Sequence, residues 1–295
     1  PNASANLAKA SLDDQMPVIQ SPVTTTNNAR ASELTEGRER LQQYHPRDNE
    51  VRDNILARAE AAACPVLVLL CDVPTFGFRP KEIRNGLSMP PKMTLNNILQ
   101  ILGKPNWALQ TLKHGQPNFE TLKPYMPKNL NLKHLGLFMD QMFSKRMNEE
   151  KIAPIRDKWK GKIVLKGVAT EADAEKAIKL GLDGIIVSNH GGRQLDAGES
   201  TIKPMTRIAK KYGDQITVMM DSGIRSGPDV ARALASGAAF TFMGRSFMYG
   251  VAAMGAEGGE HTISLLQTQL QQVMEQLGCN TISDFPRHLV ALRIC

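Results

Sequence analysis

Ile185-Ile186-Val187-Ser188-Asn189-His190-Gly191-Gly192-Arg193-Gln194-Leu195-Asp196 is the stretch on which the reading of the chain turns. Its apolar, β-branched start predicts a fully buried strand, and the strand breaks abruptly into polar residues and two glycines. A parallel α/β sheet delivers side chains to its active face in this way. His190 can carry a proton either way near neutral pH. Arg193, three residues on, can grip a carboxylate through two parallel bonds. The pair suits a small acid that must lose a proton. Taken alone it could also be a strand-capping histidine beside a solvated arginine.

Outward from this stretch the chain keeps a regular rhythm. Downstream and just upstream, strands are expected at 162–165, 184–187, 216–220 and 238–243, with helices at 170–180, 202–212 and 228–236 and a long closing helix at 262–277. Earlier, helices at 2–14, 30–37 and 48–63 alternate with strands at 16–21, 41–45 and 66–70. Each helix returns the chain for another parallel strand. The 295 residues therefore read as one α/β domain over 1–295, a (β/α)8 TIM barrel. Seven strands are countable where a closed barrel has eight, so the simplest expectation puts the first strand upstream of Pro1. An open doubly wound sheet is the alternative. Residues 76–159 break the rhythm with Pro80, Pro90, Pro91, Pro105, Pro117, Pro124 and Pro127 and a helix-like run at 95–102. An insertion of this length after a barrel strand is expected to form a lid over the active mouth.

Composition narrows the partners. Hydrophobic residues make up 42% and charged residues 22%, as in an ordinary globular protein. No stretch approaches the ~20 apolar residues of a membrane span. No basic-then-apolar leader is visible, which makes a cytoplasmic location the expectation, although the start at Pro1 leaves room for a leader removed earlier. The four cysteines, Cys64, Cys71, Cys279 and Cys295, show no metal-ligand spacing and read as reduced thiols, so no metal site is expected. The net charge of +7 is unevenly placed: residues 79–162 hold 16 Lys/Arg against 6 Asp/Glu, and the remainder is slightly acidic. With aromatics at 5% and no RNA-binding signature, nucleic acid is excluded as a partner. Steering of an anionic substrate or contact with an acidic lipid surface fits the basic segment.

The predicted strand ends supply polar groups to one face. Tyr44 follows the strand at 41–45, Asp72 and Arg79 the next, and Lys166 the one after. His190 and Arg193 follow, then Asp221 and Arg225, then Gly244 and Arg245. The last two sets look made for a phosphate. Asp221-Ser222-Gly223-Ile224-Arg225 and Met243-Gly244-Arg245 offer glycines whose amides can approach an anion, two guanidinium groups and a helix N-terminus behind. Barrel phosphate sites commonly follow the seventh and eighth strands. A phosphate-bearing cofactor is expected on these grounds alone.

The run from Ser188 to Asp196 resembles the signature of the FMN-dependent α-hydroxy acid dehydrogenases and oxidases. The likeness extends to Gln42-Gln43-Tyr44, Asp72-Val73-Pro74 with Arg79, Leu165-Lys166-Gly167-Val168, Asp221-Ser222-Gly223-Ile224-Arg225 and Gly244-Arg245. It implies a β/α barrel holding FMN and oxidation of a short L-2-hydroxy acid, lactate-like, to the 2-oxo acid. On that likeness His190 takes the proton, from the α-carbon or from the hydroxyl, while Asp72 fixes the imidazole and Tyr44 hydrogen-bonds the substrate oxygen. Arg193 and Arg79 would hold the carboxylate. Lys166 would put a positive charge beside the flavin, and Ser21, Gln42 and Ser188 would hydrogen-bond the ring. Asp221 and Gly223 belong to the flavin-binding block, and Arg225, Gly244 and Arg245 would take the phosphate. Electrons would pass to oxygen, a quinone or a cytochrome, and barrels of this likeness often form homo-tetramers. Two positions depart from the pattern. Leu70 stands where relatives commonly have threonine, and Ser222 replaces a usual glycine, a mild change if the turn keeps a negative φ. Another FMN barrel acting on a phosphorylated substrate, or an inert flavin-binding protein, are the competing readings.

Overall fold

A computed structural model describes residues 40–43, 45–75, 78–86, 94–115, 121–127, 138–144 and 146–290. The strands are β1 (Arg40–Gln43), β2 (Val66–Leu70), β3 (Lys162–Val168), β4 (Gly184–Val187), β5 (Thr217–Met220) and β6 (Phe240–Thr241). The helices are α1 (Asn49–Ala61), α2 (Pro80–Arg84), α3 (Leu95–Leu102), α4 (Pro105–His114), α5 (Glu149–Lys158), α6 (Glu171–Lys179), α7 (Ile202–Tyr212), α8 (Gly227–Ala235), α9 (Arg245–Met254) and α10 (Gly258–Leu277). The six described strands lie in sequential order, each parallel to its neighbours. This is the wall of a β/α barrel.

Strand alternation builds the two layers of its core. One set of side chains, Val68, Val164, Ile186, Met219 and Phe240, one from each of β2 to β6, forms a single inner cluster. The other set, which includes Leu67, Leu69, Ile163, Leu165, Ile185 and Val187, is buried in the outer layer with Ala174 and Ala177 of α6 and Met205 and Ile208 of α7. Both faces are covered, so these strands read in sequence as unbroken apolar runs rather than as alternation.

The structure corrects several boundaries. The interruption expected over 76–159 ends early: α5 is a barrel helix whose Ile152 and Ile155, with Trp159 just beyond it, are buried in the main core. Pro154 inside this helix hid it from a sequence reading. Residues 121–127 and 138–144 also pack down, with Leu122, Tyr125, Met139, Met142 and Phe143 against Val51 and Ile55 of α1. Among the described helices, α3 and α4 bury no residue, and neither does the short α2. Strand β6 covers only Phe240–Thr241 of the expected 238–243, and Arg245 begins α9, a helix not foreseen. Helix α10 starts at Gly258 rather than at 262. The expected strand at 16–21 and the helices at 2–14 and 30–37 lie outside the described residues, as do Ser21 and Tyr44.

Candidate active site

The carboxyl ends of the strands bring the predicted side chains to one mouth. Asp72, just after β2, accepts at Oδ2 from His190 Nδ1–H across 3.1 Å. The carboxylate side chain is one-tenth exposed and the imidazole one-fifth. A local irregularity in β3 makes room for this contact. The pairing of β3 with β4 shifts register between Lys166 and Val168, and the intervening Gly167 has φ +103°. A Cβ on Gly167 would stand 2.4 Å from the Cβ of Asp72, so no other residue fits there without moving the aspartate. Asp72 Oδ1 is buried without a hydrogen-bond partner among the described residues.

Lys166, from the same bulged strand end, is buried. Its Nζ donates to Ser188 Oγ at 2.9 Å and pairs with Asp221 Oδ2 at 2.5 Å. The loop after β4 turns through three successive left-handed residues, His190, Gly191 and Gly192. Its backbone amides end on two serine hydroxyls: His190 N–H donates to Ser188 Oγ of the same loop at 3.0 Å and Gly191 N–H to Ser222 Oγ of the loop after β5 at 3.0 Å. Arg245 Nη2 donates to Gly191 O at 2.7 Å, tying the start of α9 to the histidine loop.

The condition under which serine at 222 would be a mild change, a negative φ, is not met. Ser222 sits at φ +72°, in the left-handed region, followed by Gly223 at +82°.

A cavity of about 380 Å³ opens among these strand ends. It is lined by Lys166, His190, Arg193 and Gln42 together with Gly223, Arg225, Gly244 and Arg245. Asp221 and Ser222 lie on the same wall. Asp72, Ser188 and Arg79 stand behind the wall and act on groups that line it. A second, mainly apolar cavity of about 280 Å³ lies at the amino ends of the strands between Val66, Lys162, Asp183 and Thr217. In a β/α barrel that end serves stability rather than chemistry.

The two arginines expected to grip a carboxylate come together, and a residue missed in the sequence reading joins them. Glu82 of α2 accepts from Arg79 Nη1 at 3.1 Å and from Arg193 Nη2 at 2.8 Å. Arg79 Nε also donates to the Arg193 carbonyl at 3.4 Å. Desolvation raises the Glu82 pKa, but the hydrogen bond from Arg79 and the charges of Arg193 and Arg79 outweigh it and leave the carboxyl below its ordinary range. The signal for Glu82 was present: it lies three residues after Arg79, neighbouring spacing on a helix. Cys71, beside Asp72, gives its thiol to Lys166 O at 3.1 Å. Burial, then the charge of Asp72, pushes its pKa up to about 12, so it takes no part as a nucleophile.

The donor set matches a phosphorylated ring compound. Arg225, Arg245 and the amides at Gly223 and at the N-terminus of α9 make one cationic end. The backbone at Gly223 has open space where a Cβ would stand. Lys166 and Gln42 offer polar contacts elsewhere in the same cavity. The volume lies in the range of small-molecule sites. No group of three or more His, Cys, Asp or Glu able to hold a metal occurs among the described residues.

Comparison with known proteins agrees with this chemistry. A family model described as FMN-dependent dehydrogenase matches residues 1–292. The chain is 34% identical over 261 residues to a putative L-lactate dehydrogenase of Mycobacterium tuberculosis, covering 88% of this chain and 62% of that one. It is 34% identical over 285 residues to an L-lactate dehydrogenase of a Caulobacter species, covering 96% and 75%. Among solved structures, a monotopic membrane protein, (S)-mandelate dehydrogenase, superposes with TM-score 0.79 at 30% identity, covering 86% of this chain and 67% of the other. A mandelate oxidase with benzoyl-formic acid superposes with TM-score 0.65 at 28% identity, covering 85% and 62%. The chain thus spans 62% of the first of these curated relatives and 75% of the second.

Proposed function

We propose, from the premise that the chain belongs to the FMN-dependent dehydrogenase family, that it oxidises a short, lactate-like L-2-hydroxy acid to the 2-oxo acid and passes the electrons to an external acceptor. The observation that carries this reading is the His190–Asp72 contact of 3.1 Å at the rim of a cavity that also presents Arg193 and Lys166. FMN, when bound, supplies the two-electron sink. Arg225, Arg245, Gly223 and Gly244 are the residues to hold its phosphate, and Lys166, Gln42 and Ser188 those to hold its ring. Ser21 and Tyr44 carry the roles assigned above by likeness.

The chain's own groups do the rest. Asp72 engages Nδ1 of His190, which fixes the tautomer and leaves Nε2 to take the substrate proton, and its charge stabilises the imidazolium that forms. Arg193 and Arg79 carry two positive charges against the single negative charge of Glu82, and the surplus favours a substrate carboxylate. Lys166, fixed by Asp221 and Ser188, keeps a cation where negative charge develops and needs no reorganisation during the reaction. Whether His190 takes its proton from carbon or from the hydroxyl, the same geometry serves.

The reading extends to where the enzyme works. No helix among the described residues is long and apolar enough to cross a membrane. Helix α3 nevertheless exposes Leu95, Ile98, Leu99 and Leu102, and α4 exposes Trp107, Leu109 and Leu112. The α3 residues follow the i, i+3, i+4, i+7 spacing of one helix face. No Asp or Glu occurs between Glu82 and Glu120, whereas Arg84, Lys92, Lys104 and Lys113 do. This hairpin is proposed to rest on an anionic lipid surface.

Steady-state oxidation of L-2-hydroxy acids of increasing side-chain size, with an artificial acceptor, tests the substrate assignment. The highest kcat/KM is expected for lactate or a close homologue; a preference for an aromatic 2-hydroxy acid by a factor of ten or more would replace lactate with a mandelate-like substrate. Sedimentation with phosphatidylserine vesicles tests the lipid contact, which the double variant Leu95→Asp, Leu99→Asp should abolish without loss of turnover.

A further inference from the structure

We propose that Ser222 is a positioning residue for the histidine loop, its hydroxyl setting the angle of His190 jointly with Asp72. The proposal rests on the reading of His190 as the base. Three non-glycine residues have positive φ among the described residues, and Ser222, at +72°, is one of them. Glycine adopts this conformation without strain and serine does not. A strained residue beside a cavity points to a function for its side chain, and the hydrogen bonds of Ser222 show what that side chain does.

Its Oγ accepts from the amides of Gly191 at 3.0 Å and Asn189 at 3.4 Å, and donates to Asp221 Oδ1 at 2.8 Å. The other oxygen of Asp221 holds Lys166, and Lys166 donates to Ser188 Oγ, which in turn accepts from the amide of His190. The circuit is closed. Three consecutive amides, those of Asn189, His190 and Gly191, all end on two serine hydroxyls from the ends of β4 and β5. The turn they belong to is left-handed at His190 and Gly191, and none of the three amides has a backbone acceptor among the described residues, so side chains must satisfy them. Ser188 secures the middle amide and Ser222 the two that flank it. Without the Ser222 hydroxyl, the amides of Asn189 and Gly191 on either side of the histidine would lose their acceptor, and only the Lys166–Ser188 arm of the circuit would still hold the loop.

Two variants separate this role from a merely structural one. Ser222→Gly relieves the backbone and removes the hydroxyl; Ser222→Ala keeps the strained conformation and removes the hydroxyl. In the FMN-loaded enzyme both should lose kcat by roughly tenfold to a hundredfold, the scale of a small misplacement of a reacting group. KM should stay within about twofold of wild type, FMN content should be unchanged, and Ser222→Gly should melt above Ser222→Ala. Amide hydrogen exchange at 189–191 should be faster in both variants, a readout that does not depend on turnover. Variants that differ in melting temperature but keep wild-type kcat and wild-type exchange would overturn the positioning role alone. A wild-type enzyme that no 2-hydroxy acid reduces would overturn the assignment of His190 as base, and the positioning role with it.

Discussion

Asp72→Asn removes one charge from the site and little else. The carboxylate faces His190 Nδ1 at 3.1 Å, with both groups mostly buried. At that separation and an effective dielectric of ~20, a carboxylate stabilises an imidazolium by about 5 kcal/mol. The one-fifth exposure of the imidazole admits water and reduces this to about 3–4 kcal/mol. At ~1.4 kcal/mol per factor of ten, proton removal should slow by roughly two to three orders of magnitude. An asparagine that turns its amide towards Nδ1 would also force the proton onto Nε2 and remove the base, deepening the loss. The assay is the rate of FMN reduction after anaerobic mixing with substrate, with FMN content and melting temperature as controls. The expected result is a variant that keeps its flavin and melts near wild type but reduces slowly. A rate within threefold of wild type would refute the argument that Asp72 stabilises a charged His190.

Other perturbations test other parts of the structure. Lys166→Met breaks the buried pair with Asp221 (side chains 9% and 15% exposed); because Asp221 keeps the Ser222 hydroxyl, the cost should be near the lower end for such pairs, about 3 kcal/mol. In a chain of this size that is a fall in Tm of roughly 5 °C, and an unchanged Tm would show that the pair contributes nothing. His45 is buried at 6% exposure, and burial, then the charges of Arg52 and Lys151, lower its pKa from 6.5 to about 4. The unfolded chain therefore binds this proton first as pH falls. Up to about 3 kcal/mol of stability is present above pH 6.5 and is lost between there and pH 4. Urea unfolding should show that loss, and His45→Gln should flatten it. Cys71, with its pKa pushed up to about 12, should resist iodoacetamide at pH 8 in the native state and react on unfolding; alkylation of the folded protein at the rate of a free thiol would contradict its burial.

The barrel was legible because its strands are buried on both faces, and runs such as Val66 to Leu70 and Ile185 to Val187 therefore announce themselves as apolar blocks. The strand-end residues followed from the same logic, since a parallel sheet puts the residue after each strand at one mouth. Two kinds of feature were hidden. Helix α5 carries an internal proline, and α9 begins on Arg245, which the sequence reading assigned only to the strand-end phosphate set, so tertiary packing made helix where no local signal had marked it. The partners of the site residues were also hidden. That Glu82 would span Arg79 and Arg193, 111 residues apart from the latter, depends on how α2 lies against the β4 loop. That Ser222 would accept a positive φ to reach the amides beyond β4 depends on the closeness of two loops 31 residues apart.

The central claim is that His190, Asp72 and the two arginines strip hydrogen from an anionic alcohol next to bound FMN. It is tested most directly by adding L-lactate, then D-lactate, to the yellow protein without oxygen and following the flavin absorbance. The account predicts bleaching with the L acid, no change with the D acid, and no bleaching by either in a His190→Gln variant that retains its FMN. Bleaching of that variant at the wild-type rate would contradict it.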